Sequence, residues 1–279
     1  MKKWKTVIGG KTGLFDFKLK EIWNYRDLCY TFIRKNFVTR YTQTVFGPLY
    51  MILSPLLTSG IFSIVFGTIA KISTDGIPDF LFYMTGNIIW GYFSGCVWEN
   101  NNIFGGNAYI MGKVYFPRLV IPLANTITKL LDMTVQFFMF ILFYFIFMAN
   151  GHVFQPNLWI IAVPFLLLMV ALMGFGVGLI CSSLTIKYKD LNVLLSFGMN
   201  FLMYASPIIY PISNLEGILK KVIYINPLAG VIETLRYAFF GVGTVSVLTL
   251  LWSAVVTAIL LISGLVLFNK VEKTFIDTI

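Results

Sequence analysis

Six long stretches of this sequence contain few or no charged side chains, and they limit most strongly what the chain can fold into. A helix needs about 20 mostly apolar residues to cross the hydrocarbon layer of a bilayer, which is about 30 Å thick. Because that layer holds no water, the segment must satisfy its own backbone hydrogen bonds, as a helix does. We therefore predict an all-α polytopic membrane protein with six transmembrane helices. The predicted spans are residues 45–70, 80–98, 119–149, 158–185, 191–211 and 245–268.

Composition agrees with this class of protein. Apolar residues make up 58% of the 279 residues and charged residues only 12%, and nothing marks a second, soluble domain. The net charge of +9 could suggest a nucleic-acid partner, but ten of the 21 Lys and Arg residues lie in the first 44 positions. Such a bias is typical of a cytoplasmic segment beside a membrane. We predict no nucleic-acid partner.

The positive charges also predict which side of the membrane each end occupies. With six spans both termini lie on one side, which carries sixteen Lys and Arg residues, and the other side carries four. The positive-inside rule then places both termini in the cytoplasm. The predicted organisation is a cytoplasmic arm at 1–44, a transmembrane domain at 45–268 and a cytoplasmic tail at 269–279. The four residues on the outer side are Lys71, Lys220, Lys221 and Arg236.

Two cytoplasmic segments have recognisable patterns. Residues 23–41 carry apolar and aromatic side chains at helical spacing with charged residues between them, which predicts an amphipathic helix in the membrane surface. A solvated cytoplasmic helix is the alternative. The second segment, 99–118, joins the second and third spans. It is predicted to be a loop at the membrane face, because Lys113 and Arg118 would each cost roughly 3 kcal/mol at the bilayer centre.

The second predicted span places Asn87, Trp90, Gly91, Ser94 and Trp98 on one face. Small residues let helices approach closely, and polar residues avoid lipid. This face indicates either packing within the chain or a subunit contact or polar pathway. Three glycines of the fourth span are assigned mainly to helix packing. They are Gly174, Gly176 and Gly178.

Lys129 and Asp132 lie one helical turn apart in the third span and are predicted to pair. Charges within a span normally face protein or water, although Lys129 could instead extend towards the cytoplasmic interface. Asp132 is the only acidic residue in the predicted spans, which argues against proton-coupled transport.

Aromatic residues within the spans suggest a route for sugars, whose apolar faces pack on rings. Anchoring at the membrane interface is the alternative for any one of them. The residues predicted to line a channel or contact substrate are Tyr50, Phe62, Phe66, Tyr83, Asn87, Trp90 and Tyr204.

No catalytic or cofactor site is predicted in this chain. His152 is the only histidine and lies in a short outer turn, so no His-based triad or His-rich metal cluster is predicted. The GGKTG stretch at 9–13 resembles the end of a phosphate-binding loop, but the leading glycine of that motif would fall at Lys5. Three isolated cysteines are predicted to be reduced thiols that fill apolar space. They are Cys29, Cys96 and Cys181.

Four separated segments of the sequence carry a family resemblance. They are RYTQTVFGPLYMILSPLL at 40–57, NAYIMGKVYFPRLVIPLA at 107–124, NPLAGVIETLRYAFFG at 226–241 and VEKTFIDTI at 271–279. In this order, with six spans, the chain resembles the permease subunits of ABC exporters of lipid-linked polysaccharides such as O-antigen, capsule and teichoic acid. Tyr50 departs from the family, which often has Trp there.

The resemblance implies a homodimer in the bacterial cytoplasmic membrane, bound to two copies of a separate ATPase that holds ATP and Mg²⁺. Its substrate would be a glycan on a polyprenyl carrier. A coupling helix within 99–118 and the loop 187–190 would contact the ATPase. The implied coupling residues are Asn107, Tyr109, Lys113, Tyr115, Phe116, Arg118, Lys187 and Asp190.

The resemblance also implies short re-entrant helices between 212 and 244 that close the outer end of the channel. Glu233 and Arg236 could pair and fix that gate, or form a surface ion pair worth under about 1 kcal/mol. The implied gate residues are Pro211, Asn226, Pro227, Glu233 and Arg236. Two alternative functions remain: an ABC permease for a drug or small lipid, and a channel or scaffold that needs no ATPase.

Overall fold

The computed structural model describes residues 19–42 and 49–276, and within these ranges all regular secondary structure is helical. Two short 3₁₀ turns precede α7 and α9, and α3 continues as a π-helical segment, Ser63–Ile69. The helices in chain order are α1 Leu19–Asn24, α2 Arg26–Thr42, α3 Leu49–Phe62, α4 Asp79–Asn101, α5 Ile103–Lys113, α6 Val120–Ala149, α7 Val163–Thr185, α8 Leu191–Tyr204, α9 Gly217–Ile225, α10 Pro227–Phe240 and α11 Val247–Ile276.

Among the described residues, four helical segments are long and apolar enough to cross a membrane: Leu49–Ile69, Val120–Ala149, Leu158–Thr185 and Val247–Glu272. They correspond to the first, third, fourth and sixth predicted spans. The chain is therefore a multi-pass membrane protein whose regular structure is helical throughout residues 19–42 and 49–276, as predicted. The count of six spans stays a prediction, because α4 is less apolar and α8 has only 14 residues.

Helix α4 forms the centre of the bundle. It contacts α3, α6, α7 and α10, and most of its residues between Leu81 and Val97 are buried. A helix covered by protein on most sides can carry polar residues that lipid would exclude, which explains why α4 is less apolar than its neighbours.

Glycines of α7 bring it close to two neighbouring helices. A Cβ atom on Gly264 of α11 would lie 2.5 Å from the carbonyl oxygen of Gly176. On the side facing α4, a Cβ atom on Gly178 would lie 2.6 Å from the Cβ atom of Asn100, and Gly174 is equally crowded. The prediction that these glycines serve helix packing is confirmed.

Replacing Gly176 by alanine is expected to destabilise the protein by about 1–3 kcal/mol, because the α11 backbone leaves no room for a methyl group. A matched control is Gly198→Ala in α8, where an added Cβ atom meets nothing within 4 Å. Denaturant unfolding of the two purified variants in detergent measures the difference. Equal stabilities would contradict the close packing of α7 on α11.

The amino-terminal helices pack on one end of the bundle. Helix α2 contacts α6, and Phe32 belongs to an apolar cluster with Phe104, Phe116 and Phe268. Trp23 is exposed, so the predicted apolar face is only partly covered within the chain. The helix predicted at 23–41 is present in two pieces, and its position in the membrane surface stays a prediction.

The fifth predicted span is helical only in its first part. Helix α8 ends at Tyr204, and the chain then forms turns up to Pro211. Pro207 disfavours helix at the residue before it and lacks an amide hydrogen. At 14 residues, α8 is about 21 Å long and is shorter than the hydrocarbon layer.

Candidate coupling surface, channel face and outer gate

Helix α5 lies within the predicted loop 99–118 and presents an exposed surface. The Lys113 ammonium donates a 2.6 Å hydrogen bond to the Tyr109 hydroxyl and lies 3.9 Å from the ring centre. Tyr109 is 73% exposed, and Tyr115 in the following hinge is also exposed. Asn107 is half-buried and donates to the Ile103 carbonyl of its own helix. A partner chain can therefore reach Tyr109, Lys113 and Tyr115.

The last two predicted coupling residues of this segment point inward. Phe116 is 4% exposed, and its ring centre lies 6.1 Å from that of Phe32 in α2. Arg118 is buried, donates to the Glu272 carbonyl oxygen at 3.2 Å and lies 3.9 Å from the Glu272 carboxylate. Burial lowers the pKa of Arg118 below its usual value, and the nearby Glu272 carboxylate offsets only part of this shift. These two side chains hold the hinge against α2 and α11.

The second predicted coupling loop lies beside the first. The Asn101 amide donates a 2.6 Å hydrogen bond to Asn192, and Thr185 donates to Asn101 at 3.1 Å. A cavity of about 420 Å³ separates the α4–α5 junction from the α7–α8 loop. Lys187 and Asp190 are exposed at this loop. The bridge through Asn101 was missed, because sequence spacing does not show which loops meet.

A charge cluster lies near the same end of α4 and α6. The Lys129 ammonium is 3.4 Å from the Asp132 carboxylate, which confirms the predicted pair, and 3.3 Å from the Glu99 carboxylate. Glu99 lies in the last turn of α4, which extends to Asn101 beyond the predicted span. The third member was missed because the sequence placed Glu99 in a loop.

Most of the predicted channel residues on α3 and α4 lie inside the chain. Tyr83 is fully buried, with its ring centre 6.1 Å from Phe62 and 6.3 Å from Phe66. The Asn87 amide donates to the Ser59 hydroxyl at 3.2 Å, which joins α4 to α3. Trp90 is partly buried and packs on Phe93. In this conformation these residues link helices, and their contact with substrate stays a prediction.

Helix α8 has a face that the described part of the chain leaves largely exposed. Asn192, Ser196, Asn200 and Tyr204 recur every four residues and are all exposed. Phe197 and Phe201 are exposed beside them, and Tyr50 on α3 is exposed as well. The four-residue spacing of polar side chains was visible in the sequence, but only Tyr204 was predicted as a site residue.

The outer-gate residues form a buried network. The Arg236 guanidinium donates to the carbonyl oxygens of Pro207 at 2.7 Å, Ile208 at 3.2 Å and Phe82 at 3.3 Å. It also contacts the Glu233 carboxylate at 3.3 Å, and each residue of this pair is 2% exposed. The alternative of a surface ion pair is therefore wrong.

Asn226 and Pro227 join the network to α8 and α11. Asn226 accepts a hydrogen bond from the Leu228 amide at the start of α10, and its amide donates to Ser206 at 2.8 Å. The Ser253 hydroxyl of α11 donates to the Pro227 carbonyl at 2.7 Å. Pro211 is buried at the start of the next 3₁₀ turn. The predicted gate residues therefore connect the segment after α8 with α10 and α11, and their gating role stays a prediction.

The family match covers most of the chain. Residues 27–240 match the family described as ABC-2 type transporter. This chain belongs to the ABC-2 type transporter family. The predicted resemblance to ABC permeases is confirmed, and the matched region includes nearly all of α2, the segment 99–118, α8 and the buried network around Arg236.

Proteins similar to this ABC-2 type chain include three that are named as permeases of O-antigen export systems. Two proteins of Klebsiella pneumoniae, each called O-antigen export system permease protein RfbA, are 30% and 28% identical to it over 90% of this chain and 94% of their own. A protein of the same name from Myxococcus xanthus is 22% identical over 94% of this chain and 98% of its own.

Proposed function

We propose that this ABC-2 type chain is the channel-forming subunit of an ATP-driven exporter of a polyprenyl-linked polysaccharide such as O-antigen, capsule or teichoic acid. The observation that carries the proposal is the uncovered face of α8. The exposed Asn200 amide, and to a lesser degree the Ser196 hydroxyl, would be unfavourable towards lipid, which favours a position along a watery route. The neighbouring rings of Phe197 and Phe201 offer apolar surfaces to the faces of sugars. The printed names of the relatives support a glycan as the substrate.

The functional unit would be two copies of this chain and two copies of a separate ATPase, which binds ATP and Mg²⁺. The two α8 faces would line the route between the copies. The exposed α5 surface and the α7–α8 loop would contact the ATPase, since they lie together and expose charged and aromatic side chains. Phe116 and Arg118 would act by holding the hinge in place.

The proposed function also implies an arrangement of the helices in the membrane. Helices α4 and α8 would be the second and fifth of six spans, and both termini would lie in the cytoplasm. Helix α2 would lie in the membrane surface near the ATPase. Helices α9 and α10 would enter the outer leaflet and return. The non-helical backbone at 205–211 is largely buried within the chain, as a break at membrane depth requires.

ATP binding would draw the two ATPase chains together. The exposed α5 surface and the α7–α8 loop would pass this rigid-body motion to the spans. The route between the two copies would widen, and the glycan would pass outward while its lipid enters from the side.

The deciding experiment is co-expression with the ATPase, followed by measurement of ATP hydrolysis in lipid with and without a lipid-linked glycan. A stable complex that the glycan stimulates would support the proposal.

Two other functions remain as outcomes of this experiment. A complex stimulated by a drug or small lipid, but not by the glycan, would favour a permease for that compound. A chain that binds no ATPase and conducts or assembles alone would favour a channel or scaffold.

Replacing Ser196 and Asn200 together by leucine is expected to lower export about tenfold or more, a loss of at least about 1.4 kcal/mol in the transport step. The cause would be loss of polar contacts along the route. Thr134→Leu on the exposed side of α6 is the matched control. Export of the glycan to the cell surface measures the effect at equal protein levels. Unchanged export by the double variant would contradict a route along α8.

A further inference from the structure

A second cavity, of about 350 Å³ and lined mainly by polar groups, lies where α2 approaches α4, α5 and α6. Its volume falls in the range of about 300–1,000 Å³ that is usual for small-molecule sites. Amide side chains from α2, α5, α6 and the α4–α5 junction line it, together with Trp98 and Glu99 of α4. The amides are Asn36, Asn102, Asn107 and Asn125.

Part of this amide set is fixed by hydrogen bonds, and part remains available. The Asn36 amide donates to Asn125 at 2.9 Å, and the Asn125 amide donates to the Glu99 carbonyl at 3.0 Å. Several polar atoms form no hydrogen bond to the described part of the chain. They are the side-chain oxygens of Asn36 and Asn107 and both amide groups, C=O and NH₂, of Asn102. A ligand in this cavity would therefore meet both amide donors and carbonyl acceptors.

The charges around the cavity argue against a phosphate. No Lys or Arg side chain is among the described residues that line it, and phosphate is usually bound by such cations. The nearby Lys129 ammonium lies between the Glu99 and Asp132 carboxylates at 3.3 and 3.4 Å. Its positive charge is therefore already offset by two negative charges.

The indole of Trp98 adds an aromatic surface at the edge of the cavity. This residue is 40% exposed, and Asn102 and Gly106 beside it are also exposed, so the cavity is open to solvent. An aromatic ring with amides around it suits an uncharged sugar ring. The C–H faces of such a sugar pack on the indole, and its hydroxyl groups donate to and accept from amides.

We propose that this cavity binds an uncharged sugar ring of the lipid-linked substrate before export. The inference rests on the proposed function, because it assigns the cavity to the same substrate. The cavity lies at the end of the bundle that carries α5, where the substrate would arrive. Helix α2 and α5 both form its walls, so a bound sugar would contact the surface helix and the coupling helix together.

The test measures binding of two fluorescent probes to the purified protein in lipid nanodiscs. One probe is a short prenyl diphosphate that carries a single N-acetylhexosamine, and the other is the same prenyl diphosphate without sugar. Trp98→Ala is expected to weaken binding of the sugar probe about tenfold, which corresponds to about 1.4 kcal/mol, and to leave the bare probe unchanged. Trp98→Phe should restore most of the binding. Trp23→Ala, at an exposed tryptophan outside the cavity, is the matched control.

Because Trp98→Ala could disturb folding, Asn102→Ala provides a second variant and should also weaken only the sugar probe. Equal losses for the two probes, or no loss for either, would overturn the inference. The binding assay uses the permease alone, so its result does not depend on ATPase coupling. Failure to form a glycan-stimulated ATPase complex would instead count against the proposed function, and that measurement uses the unchanged protein.

Discussion

Replacing Arg236 by methionine is expected to destabilise the protein by about 3–5 kcal/mol, because removal of one member of a buried ion pair leaves the other charge unpaired. The Glu233 carboxylate would lose its 3.3 Å partner. The carbonyl oxygens of Pro207 and Ile208, which lie just after α8, would each lose a guanidinium donor. We expect export to be lost as well, because the segment after α8 would no longer be fixed to α10.

Unfolding in detergent and export in cells measure these two effects. Lys221→Met on α9 removes an exposed positive charge from the same 212–244 region and is the matched control. Combining Arg236→Met with Glu233→Gln should recover part of the lost stability, since the carboxylate is then neutral. Wild-type stability of Arg236→Met would show that the network does not hold this end of α8.

This network also shows where sequence reasoning ends. The three-residue spacing of Glu233 and Arg236 predicted that they could pair, and the distance confirms it. The same spacing occurs in surface pairs, so it could not distinguish a weak exposed contact from a buried one. The distinction depends on Phe82, Pro207 and Ile208, which are distant in sequence and meet Arg236 only in the folded chain.

Helical spans were easier to predict than their ends. Apolar runs identified the four spans that the structure supports. A helix that crosses lipid needs about 20 mostly apolar residues in a row, and such a run can be read directly from the sequence. The end of α8 was misplaced, since the apolar run continues past Tyr204 while proline breaks the helix. Glu99 was misplaced for the opposite reason: a charged residue suggested a loop, but its partner Lys129 lets it remain on α4.

Combining Tyr109→Ala with Lys113→Glu is expected to lower export at least about tenfold, an effect of about 1.4 kcal/mol or more on the coupled step, while protein yield stays unchanged. Both side chains are exposed on α5 and contact mainly each other, so their loss should not disturb the bundle. Charge reversal at Lys113 would repel an acidic groove on the ATPase or remove a favourable contact with it. Export and co-purification with the ATPase measure the effect, and Lys221→Glu on α9 is the control for charge reversal.

The inward-facing residues of the same segment should behave differently. Phe116→Ala is expected to destabilise the protein by about 3–5 kcal/mol, because it leaves a cavity against α2, whereas the double variant on α5 should unfold like wild type. If the α5 variant exports normally and still binds the ATPase, then α5 is not the coupling surface. If it instead loses stability to the same extent as Phe116→Ala, its export defect reflects folding. A variant that is stable, binds poorly and exports poorly is the result that only a contact role for Tyr109 and Lys113 predicts.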